Sequence, residues 1–148
     1  MKIEEEIQSK FRNEYSKARV NLHYTENYLT NQLNDILKPF KLSPTQFNVL
    51  RILRGQYPST SSIGLVKERM LDKNSDISRI VDRMHAKKLV IRKECKQDRR
   101  QKDILITQLG LDILAKIDKQ EDDLDAKIHH LSLNEITQLN NLLDKIRG

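Results

Sequence analysis

The chain has 148 residues, with 27 lysines and arginines against 21 aspartates and glutamates, a formal net charge of +6. That length suits one compact core rather than two independent domains, and the low counts of glycine (4) and proline (3) favour helices. The single cysteine, Cys95, excludes an intramolecular disulfide framework and a cysteine-rich zinc site.

No apolar run approaches the ~18 residues of a membrane span. None follows the acidic start Glu4-Glu5-Glu6, as a signal peptide would require. A cytoplasmic protein with no membrane partner is expected. The charge is uneven: residues 51–110 hold 15 basic and 7 acidic side chains, net +8, between flanks of +1 and −3. A block of that sign suits a polyanion, although a solvated basic face has the same composition.

The spacing predicts a first helix from about Glu4 to about Leu37. Ile3, Ile7, Phe11, Tyr15, Ala18 and Leu22 repeat at steps of four and three, and Leu29, Leu33 and Ile36 continue the stripe. Pro39 closes it. Ser43-Pro44-Thr45-Gln46 opens a second helix as a capping box with proline in the first turn, and Gly55 ends it. A third helix runs from about Ser61 to Met70. The turn Leu71-Asp72-Lys73-Asn74 leads to a fourth, capped by Asn74 or Asp72. Strands follow at Leu89 to Cys95 and Asp103 to Thr107, joined by a basic tip from Gln97 to Lys102. Thr107 caps a long fifth helix with the stripe Leu114, Ile117, Leu124, Ile128 and Leu131. Ser132 and Glu135 form a capping box for a last helix. The fold class is mainly α with a small β-hairpin wing, a winged helix-turn-helix over residues 42–107.

In the fourth helix Ile77, Ile80, Val81 and Met84 fall at i, i+3, i+4 and i+7 and turn one face inward. The opposite face carries Ser75, Ser78, Arg79, Asp82 and Arg83. Such a helix suits a major groove, with Ser75, Ser78 and Arg79 toward the bases and arginine as the usual reader of guanine. Lys73 and Asn74, at the helix start, suit phosphate. Arg83 is as well placed for a salt bridge to the body as for DNA. Arg99, Arg100 and Lys102 at the hairpin tip can reach the neighbouring groove and its backbone. The exposed aspartate–arginine pair of Asp98 with Arg100 is otherwise worth about 0–1 kcal/mol and carries no function.

The first and last helices hold more apolar stripe than a small winged domain can cover. They either pack on each other within one chain or build a two-fold interface. A homodimer with dimerisation regions at 1–38 and 108–148 explains why they flank the basic block. It also supplies the paired readers that a palindromic site on double-stranded DNA requires.

This order resembles the MarR family of bacterial transcriptional regulators. The resemblance rests on Leu42-Ser43-Pro44-Thr45-Gln46-Phe47-Asn48-Val49-Leu50, on Ile77-Ser78-Arg79-Ile80-Val81-Asp82-Arg83-Met84, on Lys88-Leu89-Val90-Ile91-Arg92, and on Asp98-Arg99-Arg100 followed by Leu105-Ile106-Thr107 and Gly110. It implies an obligate homodimer on an inverted repeat, usually a repressor, released by a small-molecule effector or by oxidation. It implies that Asp98 orients Arg100 into the minor groove while Arg99 touches phosphate. It places an effector pocket between the dimer helices and the winged domain, where Tyr24, Tyr28, Phe47 and Arg51 are candidates alongside Tyr15 and His23; core and dimer packing would use the same residues. Lys88 stands where the family often has glycine.

Other chemistry finds little support. Cys95, beside Arg92, Lys93 and Lys96, has surroundings that lower a thiol pKa, which keeps a redox-responsive regulator as an alternative; an incidental cysteine fits better. His129 and His130 with Asp125 suggest a metal, but neighbouring histidines on a helix point apart, so no metal and no cofactor are expected. A glycine-rich phosphate loop and a nucleophile elbow are both missing from the sequence, which argues against an enzyme. A winged module that docks an acidic protein is the remaining alternative.

Overall fold

Apolar side chains from every element between Leu37 and Ile117 converge on one core, and the hairpin and the helix before it are built around it. The computed structural model describes residues 2–94 and 102–148. The elements are α1 (Ile3–Glu6), α2 (Glu14–Leu37), a 3-10 turn (Lys38–Phe40), α3 (Pro44–Arg54), α4 (Ile63–Arg69), α5 (Ile77–Ala86), β1 (Val90–Glu94), β2 (Lys102–Ile106), α6 (Gln108–Asp118), α7 (Glu121–Asp125) and α8 (Leu133–Arg147). None of the described helices is long and apolar enough to cross a membrane.

The helix starts follow from their caps. Ser43 accepts from the Gln46 amide while the Gln46 side chain accepts from the Ser43 amide, and Ser132 with Glu135 repeats the device. Each satisfies two amides that a helix end leaves unpaired. Val49, Leu50 and Leu53 of α3 are fully buried at the centre, against Val66 and Met70 at α4, Val81 and Met84 of α5, and Leu114 and Ile117 of α6.

The wing is a two-stranded antiparallel hairpin with Val90 opposite Ile106 and Glu94 opposite Lys102. Val90, Ile104 and Ile106 point into the core, as strand alternation requires. Ser61 exchanges two 2.8 Å backbone hydrogen bonds with Ile104 and so pairs with the other edge of β2. Thr107 locks wing to helix: its hydroxyl donates to the Lys88 carbonyl at 2.8 Å and accepts from the Gly110 amide at 3.2 Å. A Cβ on Gly110 would sit 2.7 Å from Ile106 Cγ1 and 2.8 Å from the Leu89 carbonyl, so only glycine fits this junction. Lys88 has φ 59°, the left-handed conformation that glycine adopts more easily.

Four expectations need correction. The first helix is not continuous from Glu4: α1 ends at Glu6, Gln8 takes a left-handed φ of 50°, and Asn13 caps a new helix by accepting from the Ser16 amide at 2.9 Å. The fifth helix ends at Asp118, and α7 and a series of turns replace its second half. The fourth helix is capped by Asp76, which accepts from the Arg79 amide at 3.2 Å, and not by Asn74 or Asp72. The third helix starts at Ile63 with Ser62 as cap, because Ser61 belongs to the sheet.

Candidate nucleic-acid interface

Helix α5 buries Ile77, Val81 and Met84 and leaves Ser78, Arg79, Asp82 and Arg83 exposed on its outer face. From β1, the Arg92 guanidinium donates to the Asp82 carboxylate. This ion pair links the wing to the helix and offsets the charge of Asp82, while the other acid on that side, Asp76, is exposed at the helix start as its cap. Arg79 and Arg83 have no carboxylate partner among the described residues. The salt bridge to the body that was the alternative role of Arg83 is not formed among the described residues.

The helix start is held by internal hydrogen bonds. Ser75 is half-buried, precedes the helix, and donates its hydroxyl to Asp72 Oδ2 at 2.9 Å. The Asn74 amide donates to Asp72 Oδ1 at 2.9 Å. Together these hydrogen bonds hold the Asp72 carboxyl below the usual range, the Asn74 amide contributing most. Lys73 turns back and donates to the Glu68 carbonyl at the end of α4. Ser78, Arg79 and Arg83 thus share the exposed face of α5, while Lys73, Asn74 and Ser75 build the turn that precedes it. Cys95, Asp98, Arg99 and Arg100 lie outside the described residues. Lys102 is placed only as the backbone partner of Glu94.

Two cavities flank this unit. One, of about 570 Å³, lies between α2, α3, the connector from α4 to α5, and α7; it is walled by Leu33, Phe47, Met70, Leu71 and Leu124, with Glu26, Arg51, Asp72 and Glu121 at its polar positions. Of the residues expected at an effector pocket, Phe47 and Arg51 line it. Tyr24 and Tyr28 do not. Tyr24 instead donates to Glu6 Oε2 at 3.0 Å, and that carboxylate raises its phenol pKa; Tyr28 is exposed. The second, about 640 Å³, is an apolar groove between α2 and α8 lined by Leu22, Leu29, Leu139, Leu142 and Ile146. Helix α8 has no buried residue, and α2 has only Leu37. Among the described residues no three metal-capable side chains come together, and His129 and His130 are exposed in turns.

A helix that buries one face in the core, presents arginines on the other, and is braced by an antiparallel hairpin defines the winged helix-turn-helix class. The model of the MarR family matches residues 40–101, from the 3-10 turn into the wing. A mutant of MarR from E. coli, solved with operator DNA, superposes with a TM-score of 0.82 at 24% identity over 95% of this chain and 100% of that one. A MarR transcription factor from Planctomyces limnophilus is 26% identical with a TM-score of 0.69, covering 91% and 98%. BpsR from Bordetella bronchiseptica, whose DNA binding is regulated by 6-hydroxynicotinic acid, gives 0.77 at 20% identity over 89% and 99%. Residues 40–101 thus match the MarR family, and the fold of the chain is that of its winged-helix regulators.

The sequence did not reveal the Asp82–Arg92 pair, because its partners lie on different elements, and opposite charges ten residues apart carry no periodic signal. Nor did it reveal the acids of the 570 Å³ cavity, which come from three separate stretches.

Proposed function

We propose that the protein is a sequence-specific repressor that binds an inverted repeat in double-stranded DNA as a homodimer and is released by a small-molecule effector. The observation that carries this is the outer face of α5, where Arg79 and Arg83 stand exposed while Asp82 is neutralised from the wing. Arg79 reads a base edge in the major groove, with Ser78 beside it, and Arg83 takes phosphate. At the wing tip, Arg100 enters the minor groove, oriented by Asp98, and Arg99 and Lys102 hold the backbone; the sequence resemblance supports that assignment. The MarR structure with operator DNA supports the DNA partner.

The groove between α2 and α8 is the proposed dimer interface. Leu142 and Ile146 are 60% and 67% exposed in the single chain, which an isolated protomer has no reason to maintain. The winged lobe is residues 42–107, and dimerisation falls to 1–38 and 108–148, with α6 as the strut that joins the two through Leu114 and Ile117. The 570 Å³ cavity is the effector site. Its wall includes Met70, Leu71 and Asp72, the connector that sets the start of α5, so a ligand there bears directly on the reading helix. BpsR supports regulation by a small ligand.

Selection of bound duplexes from a random DNA library tests this function. Enrichment of two half-sites related by a dyad, about one helical turn apart, is the expected result. Enrichment without a dyad, or none at all, would contradict it.

A further inference from the structure

We propose that the cavity between α2, α3 and the α4–α5 connector takes an amphipathic organic cation, an ammonium carried on a ring-sized apolar body. This rests on reading that cavity as the effector site. Its volume of about 570 Å³ suits a molecule of one to three rings, and Leu33, Phe47, Met70 and Leu124 supply apolar walls.

The charge decides the class. The lining holds three carboxylates, Glu26, Asp72 and Glu121, and one cation, Arg51. The Arg51 guanidinium is already engaged: it donates to Glu121 Oε1 at 3.0 Å and lies 5.7 Å from the centre of the Phe47 ring. Two carboxylates are left without a countercharge in the wall. Glu26 accepts from the Thr30 hydroxyl through one oxygen, at 2.8 Å, and its other oxygen has no such bond among the described residues. Asp72 accepts from Asn74 and Ser75, which stabilises its ionised form, and each carboxylate oxygen has a further lone pair to offer. An anionic ligand would enter against two uncompensated negative charges. An ammonium would gain from both, with its apolar body on Phe47 and Met70. Contact with Asp72 would also disturb the carboxylate that holds the Asn74–Ser75 turn, which is the chemical link from ligand to reading helix.

Calorimetric titration of the full chain with three naphthalene probes of equal size tests this: 1-naphthylmethylammonium, 1-naphthalenemethanol and 1-naphthoate. The ammonium should bind at least about tenfold tighter than the carboxylate, with the alcohol between them. Glu26→Gln should weaken the ammonium about threefold and leave the alcohol unchanged; Glu26→Gln with Asp72→Asn should abolish the preference. If the carboxylate binds as tightly as the ammonium or tighter, the cation proposal is overturned while the effector site stands. If none of the three binds, the effector-site reading falls and the proposal with it. An ammonium preference unchanged in Glu26→Gln places binding elsewhere and overturns the proposal even where the double variant fails to fold.

Discussion

Lys88 and Gly110 face the same junction, where the chain leaves α5, forms the wing and returns into α6. Lys88 takes a left-handed φ of 59° that an L side chain occupies at a cost, whereas Gly110 has no room for a Cβ. Lys88→Gly should therefore raise stability by about 1 kcal/mol at most, because glycine also loses more backbone entropy on folding. Gly110→Ala should lower it by about 1–3 kcal/mol through overpacking against Ile106 and the Leu89 carbonyl. Thermal or urea unfolding of the two variants checks both signs. Asp72 supplies a pH dependence. Its carboxyl is depressed by the Asn74 amide and the Ser75 hydroxyl. What it adds to the turn is therefore complete above the ordinary aspartate range and is lost as pH falls through the lowered folded value. The Asn74 amide resonance should shift on acidification through that range, and Asp72→Asn should flatten the titration. A shift that survives in the variant would remove Asp72 as its cause.

At the scale of elements, the wing and α5 act as one piece because Arg92 pairs with Asp82. Arg92→Ala should leave a bare carboxylate on the reading face and lower DNA affinity about threefold at moderate salt, equally across sequences. Adding Asp82→Asn should restore most of the loss, and fluorescence anisotropy with a selected duplex reads both steps. Elements with local chemical signals were legible in the sequence: the Ser43 and Ser132 capping boxes, the amphipathic α5, and the hairpin. Others had no such signal. The stripe through Ile7 and Phe11 continues at helical spacing across the break before α2, and nothing in the residue type at Gln8 marks a left-handed turn. Asp72, Asn74 and Asp76 are all good caps at successive even positions, so only the geometry selects Asp76. Of the residues expected at an effector pocket, Phe47 and Arg51 line the 570 Å³ cavity, and Glu26 and Thr30 line it where Tyr24 and Tyr28 do not. Residues two apart on a helix point to nearly opposite sides, so an aromatic pair beside the right face is still on the wrong one.

At the scale of the whole molecule, one core joins the winged lobe to Leu37 of α2 and to Leu114 and Ile117 of α6, and the outer faces of α2 and α8 lie outside it. The core stops at Leu37 on one side and Ile117 on the other, leaving α2 and α8 with an open apolar groove. Leu142→Glu should turn a dimer into a folded monomer, because Leu142 is 60% exposed within one chain and only a partner would bury it. Light scattering should fall from twice the chain mass to the chain mass with the unfolding transition retained, and an unchanged mass would count against this interface. The central claim is that α5 reads base edges while the rest of the molecule positions it. Parallel selection of duplexes by wild type and by Arg79→Ala tests this most directly. The account predicts a loss of about 1–3 kcal/mol on the cognate site and relaxed preference at one position in each half-site. Identical selected sequences and equal affinity would contradict it.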